Sequence, residues 1–145
     1  MMQHLLTLAR AAIVQGEVPI AACIVASDGT VLAEAHNEVE TRGDATAHAE
    51  LLVIQKACAV RTEKYLEDCT LFVTLEPCAM CAQAASHVKL KKIIFGAYDV
   101  KSGGVEHGAR VFAHPTCHHV PEIIGGVMAA ACGALLTEFF KAKRR

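Results

Sequence analysis

Tryptophan is absent from this chain, aromatic residues make up only 5% of it, and prolines number four. What remains is 53% hydrophobic, mostly Ala, Val, Ile and Leu, which describes a compact globular chain. At 145 residues the length suits one domain, with enough apolar surface to build a core without covalent staples. No long hydrophobic run occurs: the apolar stretch at 19–26 (PIAACIVA) is far too short to span a bilayer. The N-terminus, MMQHLLTLAR, has neither a basic leading region nor a small-residue cleavage site, so export is not expected and a cytoplasmic location is. Excess charge of either sign is missing too. A formal net charge of −1 gives no global attraction to a polyanion. Any RNA contact must come from local clusters, of which there are two: Lys89, Lys91 and Lys92, and the tail Lys141, Lys143, Arg144 and Arg145. Either reads equally as a solvated face or a frayed end.

Cysteine is plentiful, but a disulfide framework is not suggested. Seven residues at irregular spacing leave an odd one over. Cys23, Cys58, Cys69 and Cys132 sit in apolar or mixed contexts and read as small buried hydrophobes.

Periodicity gives the order of elements. Residues 2–14 carry Leu5, Leu8, Ala9 and Ala12 at helical spacing, ending at Gly16. Residues 19–26 read as a buried strand. Ser27-Asp28-Gly29 is a turn, returning the chain as a second strand at 30–37. Residues 41–45 read as loop, 47–60 as a helix, 70–74 as a strand, 78–87 as a short helix and 92–96 as a strand. A long Gly- and His-rich loop follows over 97–117, with one helical turn expected near Ala109; loops of that length in compact domains tend to carry function. A fifth strand is expected at 119–124 and a closing helix at 127–141. Alternating strands and helices imply an α/β fold, a central sheet with helices on both faces.

The strongest chemical signal is Pro77-Cys78-Ala79-Met80-Cys81. Two cysteines three apart on a helix lie about a turn from one another, within reach of one tetrahedral ion. The helix N-terminus favours their thiolates, the form that binds metal. A lone C-x-x-C also fits a redox pair or half of a structural zinc site. The second signal is His48-Ala49-Glu50. His48 offers an imidazole ligand, and three ligands leave the open coordination position of a catalytic site. Glu50 then suits proton transfer. Positions i and i+2 diverge by about 200° on a regular helix, however. Spacing alone therefore supports only the cysteine pair; His48 by itself also reads as a capping or core histidine, and Glu50 as a helix-start carboxylate.

Taken together, H-x-E and P-C-x-x-C match the signature of the zinc nucleobase deaminases. Thr46-Ala-His-Ala-Glu50, Thr74-Leu-Glu-Pro-Cys-Ala-Met-Cys81 and Phe95-Gly-Ala-Tyr-Asp99 resemble the bacterial tRNA-specific adenosine deaminases, of the cytidine/deoxycytidylate deaminase superfamily. Glu17-Val-Pro-Ile20, Asn37, His114-Pro115, Leu135-Leu-Thr-Glu-Phe-Phe140 and the basic tail extend the likeness over nearly the whole chain. The resemblance implies a three-layer α-β-α cytidine-deaminase-like fold around a five-stranded mixed sheet, formed as one domain over residues 1–145. It implies a homodimer that binds a tRNA anticodon loop and converts the wobble adenosine to inosine. It implies one Zn²⁺ per subunit on His48, Cys78 and Cys81, with Glu50 as proton shuttle. By the same likeness Asn37 contacts the flipped nucleoside, and Asp99 accepts from the 2′-OH of a neighbouring ribose.

This chain departs from the family at three places. Ala21 replaces a glycine, and its methyl is expected near the pocket floor. Glu38 stands where an arginine is usual, removing a phosphate contact. In the loop Lys101–Phe112, Glu106 and His107 are unusual. These differences keep open a deaminase of a free base or nucleoside (cytosine, cytidine or guanine), and a non-catalytic zinc-stabilised RNA-binding subunit. Cys117-His118-His119 is not expected to form a second metal site, because adjacent residues rarely ligate one ion together.

Overall fold

A computed structural model describes residues 1–144. Arg145, the last residue of the basic tail, lies outside them.

The chain begins with helix α1 (Met2–Val14), followed by strands β1 (Ala21–Val25) and β2 (Val31–His36). Next come a four-residue helix α2 (Val39–Arg42), helix α3 (Ala49–Arg61) and strand β3 (Thr70–Leu75). Helix α4 (Ala79–His87), strand β4 (Lys92–Ala97), a 3-10 turn (Val111–Ala113), strand β5 (Glu122–Ile124) and helix α5 (Ala129–Lys143) complete it. The five strands form one mixed sheet in the order β2-β1-β3-β4-β5. β1 pairs antiparallel with both β2 and β3. β3–β4 and β4–β5 are parallel.

Alternation along the strands divides the core in two. Ala22 and Ile24 of β1 join Leu71 and Val73 of β3 and Ile93 and Phe95 of β4 against α3 and α4. Ala21 and Cys23 face the opposite way, against Leu5, Leu6 and Ala9 of α1 and Cys132 and Leu135 of α5. The result is the three-layer α-β-α arrangement expected from the sequence. Cys23, Cys69 and Cys132 are buried as small hydrophobes, while Cys58 is half-buried.

Four sequence expectations need correction. Thr41 and Arg42, expected as the start of a loop over 41–45, instead end the helical turn Val39–Arg42, because a distant carboxylate organises it. Oε1 of the buried Glu17 accepts the Glu40 N–H at 3.0 Å, and Oε2 accepts the Thr41 N–H at 2.7 Å and hydroxyl at 2.6 Å. The turn expected near Ala109 falls at Val111–Ala113, and β5 is shorter than 119–124. Ala21 does not reach the pocket floor: it points into the α1 side of the sheet, and its N–H donates to Thr74 Oγ1 at 3.2 Å.

Parallel pairing places the C-terminal ends of β3 and β4 at the same edge of the sheet, and α4 begins just beyond β3. That edge is where ligand sites form in sheets of this kind. Among the described residues, no helix is long and apolar enough to cross a membrane.

Candidate metal centre and active site

His48, Cys78 and Cys81 come together at this edge. Their ligand atoms all lie within 4.8 Å of one another, and no other such cluster occurs among the described residues. His48 Nδ1 is 3.6 Å from the Sγ of Cys78 and 3.6 Å from that of Cys81. Nitrogen and sulfur ligands of a tetrahedral zinc, at their usual bond lengths, stand about 3.6 Å apart. The donor set and its spacing therefore fit zinc, with room in the coordination shell for one more ligand.

The backbone resolves the i, i+2 difficulty. His48 is not on the helix. It is the residue before α3, with extended φ −74° and ψ 146°. The sharp change of direction between His48 and Ala49 lets His48 and the helical Glu50 face one pocket. Cys78 likewise precedes α4 in an extended conformation, φ −71° and ψ 174°. The two cysteines therefore do not share one helical face; one lies at the helix entrance and the other in its first turn.

Protons are unequally shared in this cluster. The bond from Cys81, and then that from His48, hold the Cys78 thiol down to about 4, against the opposing effect of burial. The same Cys78–Cys81 bond, together with burial, pushes Cys81 up. The bond to Cys78 raises His48. Glu50 is 4% exposed. Burial pushes its carboxyl up to about 7, with the neighbouring Cys78 adding to the effect. A carboxyl poised there can accept and release a proton near neutrality.

His48, Glu50 and Cys78 open into a pocket of about 310 Å³ that is also lined by Asn37, Glu76, Asp99, Ser102 and Lys143. Both residues expected to bind substrate thus line the pocket, each with a structural task as well. Asn37 is buried, and its Oδ1 accepts the Ala49 N–H at 2.8 Å, tying the end of β2 to the first residue of α3. Asn37→Ala is expected to cost about 1–3 kcal/mol of stability by leaving that N–H buried without an acceptor. Urea denaturation measures the cost; an unchanged midpoint would confine Asn37 to ligand contact. Asp99 Oδ1 accepts the N–H groups of Lys101 at 3.2 Å and Ser102 at 2.9 Å, which leaves Oδ2 for a ligand.

Of the two basic clusters, only the tail reaches this pocket, through Lys143. Lys89, Lys91 and Lys92 lie at the opposite end of β4, where Lys92 is 3.6 Å from Glu122 and Lys89 lies over the Tyr65 ring. Glu38 pairs with Arg42 at 2.7 Å. His119 Nε2 donates to the Leu90 carbonyl at 2.7 Å, so this histidine of the 117–119 group holds a loop in place.

Glu76 was not singled out by sequence reasoning. It is 2% exposed and anchors the long loop after β4. Burial opposes its ionisation, yet the Asp99 N–H and the His107 ring, with further backbone donors, hold its carboxyl below the ordinary range. No local pattern marks it, since its donors come from 23 to 31 residues away.

The chain was compared with known proteins. The family model for MafB19-like deaminases matches residues 1–144. A protein of Agrobacterium fabrum named tRNA-specific adenosine deaminase is 43% identical over 143 residues, spanning 99% of this chain and 93% of that one. One of the same name from Aquifex aeolicus is 44% identical over 136 residues, spanning 94% of this chain and 89% of its own. A solved structure, from work on A-to-I editing by tRNA:A34 deaminases at the wobble position of transfer RNA, superposes with a TM-score of 0.90 at 42% identity. It covers 93% of this chain and 97% of that one. With its fold, its ligand triangle and these likenesses in agreement, the chain belongs to the tRNA-specific adenosine deaminases, a deaminase family of enzymes.

Proposed function

We propose that this enzyme is a zinc-dependent hydrolytic deaminase that converts adenosine to inosine at the wobble position of tRNA. It acts in the cytoplasm as a homodimer of single-domain subunits. The observation that carries the reading is the His48–Cys78–Cys81 triangle beside the buried carboxyl of Glu50, at the base of a pocket of nucleoside size.

His48 Nδ1 and the Sγ atoms of Cys78 and Cys81 would hold one Zn²⁺. When bound, zinc supplies the Lewis acidity that makes water a nucleophile at neutral pH. Glu50 receives one proton from the water attacking C6 of the adenine and hands it to N1; it then takes the second proton from the new C6 hydroxyl and delivers it to the amine at N6, which departs as ammonia as C6 becomes a carbonyl. The N–H groups at the start of α4 would add to the stabilisation of negative charge developing on oxygen. Asn37, through the part of its amide not bonded to Ala49, orients the base. Asp99 Oδ2 accepts from a ribose hydroxyl, a contact that distinguishes RNA from DNA. Lys143 at the pocket rim supplies the local positive charge that the net charge lacks.

The deciding assay measures inosine in a tRNA-Arg anticodon stem-loop beside free cytidine, cytosine and guanine. Inosine in the stem-loop, with inert free bases, is the expected result. Turnover of a free base with an inert stem-loop would make the protein a small-molecule deaminase instead.

A further inference from the structure

Five donors converge on the carboxylate of Glu76, and none is a lysine or arginine. Oε1 accepts the Asp99 N–H at 3.0 Å and lies 2.8 Å from His107 Nδ1. Oε2 accepts the N–H groups of Val105 at 3.2 Å, Glu106 at 2.9 Å and His107 at 3.1 Å. An ionised carboxylate only accepts, so the His107 ring carries its proton on Nδ1 and donates it. Of the five donors, the imidazole is the only side chain.

Close approach makes this arrangement specific. A Cβ on Gly103 would lie 2.6 Å from the Glu76 carboxyl, and one on Gly104 would lie 2.4 Å from the Ala79 nitrogen. The loop is thus pressed on one side against Glu76 and on the other against the start of α4, where Gly104 N–H donates to the Pro77 carbonyl at 2.8 Å. The His107 ring also meets Tyr98 edge-on, with centroids 5.9 Å apart, and Tyr98 meets the buried Phe95 in the same way at 5.2 Å. The clamp therefore runs from the sheet, through Tyr98 and His107, to Glu76, and encloses the residues that carry Asp99 and Ser102 to the pocket.

We propose that His107 is a positioning residue: by donating to Glu76 it locks the 99–107 loop, and so sets the placement of Asp99 and Ser102 against bound RNA. It touches neither the metal ligands nor the reacting atoms. Its loss is therefore felt in substrate binding, with proton transfer unaffected.

The test compares His107→Leu with His107→Asn, whose side-chain amide can place an N–H near the site of Nδ1. Two measurements are made on the zinc-loaded protein: hydrogen exchange of the 99–107 amides, and kcat and KM on the anticodon stem-loop. In His107→Leu, exchange across 103–107 should accelerate about tenfold or more. KM should rise about tenfold, the scale of one charge-assisted hydrogen bond. kcat should stay within about twofold, with one zinc per chain. His107→Asn should recover most of both losses. Unchanged exchange in His107→Leu, no recovery in His107→Asn, or loss of zinc and kcat in step with KM would each overturn the proposal. The KM measurement rests on the tRNA deaminase reading, whereas the exchange measurement does not. A wild-type protein that makes no inosine would sink that reading, and the exchange data would still decide the clamp.

Discussion

Glu50→Gln is expected to lower kcat for inosine formation by between about a hundredfold and ten-thousandfold, the range for loss of a positioned general acid–base, while one zinc per chain remains bound. Gln has the same shape and fits the same buried place at the start of α3, but it cannot take a proton from water or return one to N1. Glu50 lies outside the triangle of ligand atoms formed by His48, Cys78 and Cys81, so the metal should stay. The folded protein should be no less stable. Burial already disfavours the charged carboxylate of Glu50, and a neutral amide removes that cost. Single-turnover measurement of inosine, metal analysis and a thermal melt on one preparation check all three points. Activity within tenfold of wild type would remove Glu50 from the proton pathway, and loss of zinc would make it a ligand.

The sequence made some of this site legible and hid the rest for identifiable reasons. The cysteine pair was visible because a three-residue spacing around one helix entrance is local information. The central strands and large helices were visible because their apolar patterns are local too. His48 and Glu50 were not derivable from spacing, because regular helical geometry drives i and i+2 apart. The structure reconciles them by leaving His48 extended before the helix, a choice that Asn37, bonded to Ala49 from the end of β2, helps to impose. α2 was hidden for a similar reason: its four residues have no helical pattern, and its organising acceptors belong to Glu17. Glu76 illustrates the limit most clearly. It stands inside the stretch that carries the cysteines and reads there as a neighbour of the motif, while its role is set by amides across the long loop. Ala21 shows the opposite error. A difference from the family was given a functional meaning, but strand alternation turns the residue toward α1 and away from the pocket.

Cys78→Ala should abolish both zinc content and deamination. It removes the sulfur most ready to be a thiolate, the one held down to about 4, and leaves a nitrogen and one buried thiol, too few ligands for a stable tetrahedral site. Stability then provides a second, activity-free readout through ligand linkage. Free zinc at a hundred times its dissociation constant adds about 2.7 kcal/mol to a protein that binds it only when folded. For a chain of this size that raises the melting temperature by roughly 10 °C. Wild type and Glu50→Gln should both show the rise, and Cys78→Ala should show none. The pair of variants thus separates holding the metal from moving the proton: Glu50→Gln loses turnover and keeps the zinc-dependent shift, whereas Cys78→Ala loses both. Retained stoichiometric zinc in Cys78→Ala would mean that another group completes the site. The buried carboxyl that lines the same pocket, Glu50, would then have to be reassigned from proton carrier to ligand.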